Sequence, residues 1–148
     1  GKVNEKSVFS AVDLVPTLLE LTGTPQPKGA KYDGESLPEV LLGKSDASRK
    51  QPLLFRRPPD RDAFYGDNDL PDLAIREGNW KLLCEYDGNE PELYDLFYDP
   101  GEKECMANKH PDIVERMAKK LIDWHKSMPP DNGADFVRKP KAKKKKRG

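Results

Sequence analysis

LAIREGNWKLLCEYDGNEPELYDLFYDPGE, residues 73–102, predicts three short strands joined by tight turns. Trp80, Leu82, Cys84 and Tyr86 alternate with Lys81, Leu83 and Glu85, the period of two that gives a pleated strand two distinct faces. Glu77-Gly78-Asn79 precedes this strand and Asp87-Gly88-Asn89 follows it, and both supply residues that tolerate positive φ in hairpin turns. Asp99-Pro100-Gly101 closes the third strand, Glu92 to Phe97, because proline removes a ladder donor and glycine permits a sharp exit. A small sheet with one apolar face needs a cover.

The cover is expected downstream. Pro111 suits the first position of a helix, with Asp112 and Glu115 near its positive end. Ile113, Met117, Leu121, Trp124 and Met128 then form one apolar stripe at helical spacing. Pro129-Pro130 stops the helix, and Trp124 is expected to meet Trp80 or Tyr94. His110 reads as a cap and His125 as a partly packed residue beside the stripe.

Upstream, VFSAVDLVPTLLELT at residues 8–22 is the first apolar block, ending at Gly23. Proline is tolerated in a first turn, so Pro16 favours Asp13 as N-cap and a helix from Leu14 to about Thr22. A Ser10 cap in an S-x-x-D box would place Pro16 too deep. Leu14, Val15, Leu18, Leu19 and Leu21 cover most of this helix's circumference, so it calls for burial on several sides, and the chain offers little to bury it. Ser36-Leu37-Pro38-Glu39 reads as a capping box for a short helix to Leu42, and Pro52–Phe55 as a buried strand. Arg56 and Arg57 follow that strand directly, and Pro58-Pro59 prevents regular structure beyond it.

Apolar residues make up 35% of the 148 and charged residues another 35%, so the interior must be small for the length. The formal charge of zero hides an asymmetry. Residues 136–148 carry eight Lys or Arg and no acid, leaving 18 bases against 26 acids before them. An acidic body with a basic tail does not fit a specific nucleic-acid-binding core. Two cysteines, Cys84 and Cys105, are too few for a zinc site but could form one disulfide. No apolar run approaches the ~18 residues of a transmembrane helix. No signal peptide is apparent, and a start at Gly1 suggests an upstream part.

No catalytic set emerges from the residues. Neither histidine has a Cys or carboxylate partner at a ligand spacing, the glycines mark turns, and Asp131-Asn132-Gly133 reads as a turn. No catalytic residue and no metal ligand is assigned. Arg56, Arg57 and Arg61 are the candidate substrate-binding residues, since loops leaving strand ends place substrate contacts and guanidiniums suit sulfate and carboxylate. The alternative is that they pair with neighbouring acids, Asp60 and Asp62 being adjacent.

Four stretches in register carry a family resemblance: Val12–Gly23 (VDLVPTLLELTG), Asp33–Leu37 (DGESL), Ala74–Leu83 (AIREGNWKLL), and Glu92–Leu96 (ELYDL) with Asp99–Glu102 (DPGE). Together they resemble the C-terminal region of sulfatases of the arylsulfatase and N-acetylgalactosamine-6-sulfatase type, over roughly residues 8–128. Arg56-Arg57-Pro58-Pro59 and Asp69–Leu73 give it a bacterial look. Cys105-Met106-Ala107 departs from the Asn-Leu-Ala common in relatives. The resemblance implies an α+β fragment, a small antiparallel sheet covered by a C-terminal helix, taken from an alkaline-phosphatase-like α/β fold. The parent would hydrolyse sulfate esters, of a sulfated saccharide or an aryl sulfate, with calcium and a formylglycine made from cysteine. It would be periplasmic or secreted. The formylglycine cysteine belongs to a C-x-P-S-R or C-x-A-S-R motif, which neither Cys84 nor Cys105 fits.

The chain is thus expected to divide into residues 1–50, the tail end of the catalytic domain; 51–130, the sheet and helix; and 131–148, a disordered basic tail. No cofactor is expected within it, its partner is an upstream sulfatase catalytic domain, and alone it is expected to be inactive. The competing expectation is an independent polyanion-binding module that uses the basic tail.

Overall fold

The computed structural model describes residues 1, 3–57 and 70–129. Arg61, the Asp131-Asn132-Gly133 turn and the basic tail lie outside the described residues. The order of elements is α1 (Ala11–Leu21), α2 (Pro38–Leu41), β1 (Leu53–Arg56), β2 (Leu73–Glu77), β3 (Trp80–Cys84), β4 (Glu92–Asp95) and α3 (Pro111–Ser127). The chain divides into two compact units. The first holds Gly1–Leu53 with the hairpin tip Arg76–Trp80, and the second holds Leu54–Ile75 with Lys81–Gly148.

The four strands form one antiparallel sheet in the order β1-β2-β3-β4, so each strand pairs with its neighbour in sequence. Gly78, at φ +60°, makes the β2–β3 turn, and Gly88, at φ +87°, makes the turn after β3. Alternation places Leu73, Ile75, Leu82 and Cys84 on the covered face, each 1% exposed or less. β4 stops at Asp95, two residues short of the expected end. The Asp95 side chain accepts the Phe97 amide and its carbonyl accepts the Asp99 amide, a local turn that competes with the ladder.

α3 runs as the sequence predicts, with His110 at the N-cap position and Pro111 opening the first turn. Met117 and Leu121 are fully buried against the sheet side. The Tyr86 and His125 rings stack with centroids 4.8 Å apart, and a Cβ on Gly88 would stand 2.8 Å from Ile122 Cδ1. Glycine therefore serves twice at position 88, in the turn's φ and in the helix's approach.

Three expectations are corrected, at α1, α2 and β1. α1 starts at Ala11 with Ser10 as N-cap, and Asp13 is the third helical residue of a capping box. Pro16 lies inside the helix, where it deprives the Val12 carbonyl of its usual amide partner. Gly34 packs against that carbonyl so closely that a Cβ would come within 1.9 Å of it. α2 is capped at Leu37, because the Ser36 hydroxyl bonds the Glu20 carboxylate instead. β1 begins at Leu53 and is a half-covered edge strand, with Phe55 51% exposed.

Candidate functional site

Three polar clusters organise the described residues. The first is built on Asp13, whose carboxylate is completely buried. Its oxygens accept the Ser10 amide at 2.8 Å, the Glu35 amide at 2.9 Å, and Arg49 Nη1 at 2.9 and 3.0 Å. The Arg49 side chain is only 4% exposed, and its Nε donates to the Gln51 carbonyl at 2.7 Å. Glu35 reaches the same guanidinium at 3.7 Å and accepts the amides of Lys50 and Gln51. Thr17, also fully buried, donates to the Asp13 carbonyl and accepts the Leu37 amide. The VDLVPTLLELTG and DGESL stretches are therefore two sides of one clamp. Its charges are paired and its backbone donors satisfied, the condition under which a buried ion pair persists. That is a structural role.

The second cluster contains the candidate arginines. Arg57 prolongs the β1–β2 pairing by donating its amide to the Asp72 carbonyl at 2.8 Å. Its Nη2 bonds the Asp72 carboxylate at 3.2 Å, and its carbonyl accepts Tyr86 Oη–H at 3.1 Å. The Arg57 Nε is buried and has no hydrogen-bond partner among the described residues. Arg56, the last residue of β1, is half-buried. The structure thus ties Arg57 to Asp72, the residue just before β2, where the sequence draws attention to the adjacent Asp60 and Asp62. An open cleft of about 410 Å³ lies beside it, lined by Asp72, Glu85, Tyr86, Asp87, Asn89 and Glu90. Four carboxylates on its wall repel an anion, so this cleft does not suit a sulfate ester.

The third cluster joins two of the stretches that carry the resemblance. Lys81 on β3 donates to both oxygens of Glu102 at 2.7 Å, linking NWKLL to DPGE. Glu102 adopts φ +53°, an uncommon conformation for a non-glycine residue. The turn before it is held by Asp99, which accepts the amides of Lys103 and Glu104 at 2.6 and 2.8 Å. The Glu104 amide, above all, keeps the Asp99 carboxyl below its ordinary 3.8, with the Lys103 amide and charge acting in the same sense.

The cysteines do not pair: both are free, Cys84 buried and Cys105 exposed. Burial, and then the charges of Glu85, Asp87 and Asp72, push the Cys84 thiol up to about 11, so it is no nucleophile at neutral pH. Among the described residues no group of three His, Cys, Asp or Glu side chains could hold a metal ion. No described helix is long and apolar enough to cross a membrane.

The arrangement is a scaffold, and comparison with known proteins says of what. The family described as "N-sulphoglucosamine sulphohydrolase, C-terminal" matches residues 1–127. The chain belongs to the sulfatases, as a C-terminal region. This sulfatase region is 34% identical to arylsulfatase K of Mus musculus over 119 residues, 78% of this chain and 21% of the relative. It is 30% identical to the N-acetylgalactosamine-6-O-sulfatase of Bacteroides thetaiotaomicron over 131 residues, 79% of this chain and 23% of that protein. Among solved structures it resembles a 6S-sulfatase from work on glycosaminoglycan metabolism in Bacteroides thetaiotaomicron, with TM-score 0.61 and 26% identity. That match covers 81% of this chain and 25% of the other. A 2-O GAG sulfatase aligns with TM-score 0.53 and 25% identity, over 77% of this chain and 24% of that one. The sulfatase region thus spans about a fifth to a quarter of the relatives it matches.

The residues missed by sequence reasoning are Glu35 and Arg49 as partners of Asp13, and Glu102 as the partner of Lys81. The available signal is the S-x-x-D box at Ser10–Asp13, against which Pro16 argues in the sequence.

Proposed function

We propose that this region completes a sulfatase acting on sulfate esters of a sulfated saccharide, and that alone it hydrolyses nothing. The observation that carries this is the family match across residues 1–127, confined to about a fifth to a quarter of each relative. The relatives whose names mention glycosaminoglycans or N-acetylgalactosamine 6-O-sulfate support the saccharide. Sulfate ester hydrolysis needs a nucleophile and preorganised stabilisation of the leaving sulfate. The residues present do not fit the calcium ion or the formylglycine that the sulfatase resemblance implies. Cys84 is buried and followed by Glu85-Tyr86-Asp87, Cys105 is followed by Met106-Ala107-Asn108, and the described carboxylates form no metal cluster. Both groups would come from the parent's upstream catalytic domain. Periplasmic or secreted placement of the parent is part of the same proposal and rests on the resemblance.

The proposal extends to Arg56, Arg57 and Arg61 as contacts for the saccharide's anionic groups. Its support is the position of Arg56 and Arg57 at the end of β1 and the buried Arg57 Nε, which has no acceptor among the described residues. The Asp72 pairing gives Arg57 a structural duty as well.

The test compares the pure 148-residue chain with a chimera in which residues 1–127 replace the matched region of the Bacteroides N-acetylgalactosamine-6-O-sulfatase. The chain should not turn over a chromogenic aryl sulfate or a sulfated glycosaminoglycan, and the chimera should. In the chimera, Arg56→Ala and Arg57→Ala should each lower kcat/KM for the anionic saccharide about tenfold, or about 1.4 kcal/mol, and affect the aryl sulfate less. Hydrolysis by the chain alone, lost in Cys84→Ala or Cys105→Ala, would refute the proposal.

A further inference from the structure

β1 is a four-residue strand at the edge of the sheet, and the chain just past such a strand is the part most ready to fray. Arg57, the first residue past it, is nevertheless fixed three times. Its amide donates to the Asp72 carbonyl at 2.8 Å, its Nη2 to the Asp72 carboxylate at 3.2 Å, and its carbonyl accepts Tyr86 Oη–H at 3.1 Å. The third tie differs from the others in origin. Asp72 stands at the start of the adjacent strand, whereas Tyr86 lies two residues past β3, two places across the sheet. A tyrosine supplies both the reach and the donor; a phenylalanine would fill the same space and leave the carbonyl without that bond. The ring is itself braced. His125, in the last turn of α3, stacks on it with centroids 4.8 Å apart and planes at 26°. His125 Nδ1 is buried and has no hydrogen-bond partner among the described residues, and the contact made with Tyr86 is ring on ring.

We infer that Tyr86, backed by His125, is the positioning residue that sets Arg57 for an anionic group of the saccharide. This rests on the reading of Arg57 given above and names the group that holds the arginine in place. Asp72 by itself pulls the wrong way. Asp72 and Tyr86 line the same open cleft with Glu85, Asp87 and Glu90. A guanidinium whose backbone is free to slide toward that wall is neutralised by it and offers less charge to a substrate anion. Tyr86 takes no charge from Arg57. Bonded to the carbonyl, it fixes the Cα from which the side chain departs, so that part of the ordering is complete before the substrate arrives.

The test uses Tyr86→Phe, which keeps the ring and the His125 stack and removes only the hydroxyl. In the 148-residue chain the Arg57 Nε–H resonance, identified by its absence in Arg57→Lys, should exchange slowly with water because the nitrogen is buried. Tyr86→Phe should raise that rate about tenfold. In the chimera described above, Tyr86→Phe should lower kcat/KM for the anionic saccharide about three- to fivefold, through KM more than kcat, against about tenfold for Arg57→Ala. Arg57→Ala/Tyr86→Phe should lose no more than Arg57→Ala alone, because Tyr86 acts through the arginine. His125→Ala should reproduce part of the Tyr86→Phe loss, and His125→Phe, which keeps a stacked ring, should restore it. Tyr98→Phe, at an 83% exposed tyrosine, should change none of these values. Unaltered Nε–H exchange in Tyr86→Phe would overturn the inference whether or not the chimera turns over. So would additive losses in the double variant, which a general loosening of the fold produces. A tenfold loss in Arg57→Ala with none in Tyr86→Phe would sink this inference and keep the substrate role of Arg57. Normal kinetics in Arg57→Ala would sink both.

Discussion

Removing the Asp13 carboxylate should be among the most damaging single changes to the first unit. Asp13→Ala deletes acceptors for two backbone amides and for Arg49, and leaves a guanidinium 4% exposed. Breaking one side of a buried pair costs about 3–5 kcal/mol. Arg49 keeps Glu35 at 3.7 Å and the Gln51 carbonyl at 2.7 Å, which favours the lower end, about 3 kcal/mol. Loss of the capping box adds about 1 kcal/mol, for a total near 4. At roughly 4 °C per kcal/mol for an ordered region of this size, the melting temperature should fall by about 15 °C. Arg49→Met should cost about as much, since it strands a buried carboxylate on two amides. The double variant should cost about 2–3 kcal/mol less than the sum of the singles. Urea unfolding in a Trp124→Phe background, where Trp80 is the remaining tryptophan of the first unit, reads the cycle. Additivity within about 0.5 kcal/mol, or a loss below about 1 kcal/mol in Asp13→Ala, would show that the clamp is not coupled as described.

Gly34→Ala should destabilise the same unit by about 3 kcal/mol or more in urea, because its Cβ would meet the Val12 carbonyl at 1.9 Å and backbone cannot step aside cheaply; a neutral effect would refute that packing. In the folded chain a disulfide reagent should label Cys105 quickly and Cys84 only after denaturation, so rapid labelling of both would contradict the burial. The Cys84 thiol titrates near 9.0 when unfolded and near about 11 in the fold, so its contribution to stability is whole below pH 9 and lost as pH rises through about 11; Cys84→Ala should flatten that slope in urea titrations. Lys81→Met should cost only about 0.5–1 kcal/mol by thermal melting, because the Lys81 and Glu102 side chains remain 27% and 33% exposed; a loss of several kcal/mol would mean the pair is better shielded than that.

The sheet and α3 were legible in the sequence because their signals are local. Alternation at Trp80, Leu82 and Cys84, glycines at 78 and 88, and a stripe through Met117 and Leu121 each act within a few residues. The four stretches of the resemblance were legible for the same reason, and the family match upholds them. The start and orientation of α1 were not. A proline six positions into a helix costs about 3 kcal/mol in isolation, which argued for the Asp13 start. Gly34, 22 residues away from Val12, seats itself on the carbonyl that Pro16 leaves unpaired, and Arg49, 36 residues from Asp13, neutralises the carboxylate. Composition alone declared α1 too apolar for this chain, but not which side would face out. That was decided by tertiary structure, because a buried carboxylate must go where its guanidinium and amide donors are, and the leucines are left with the side that remains.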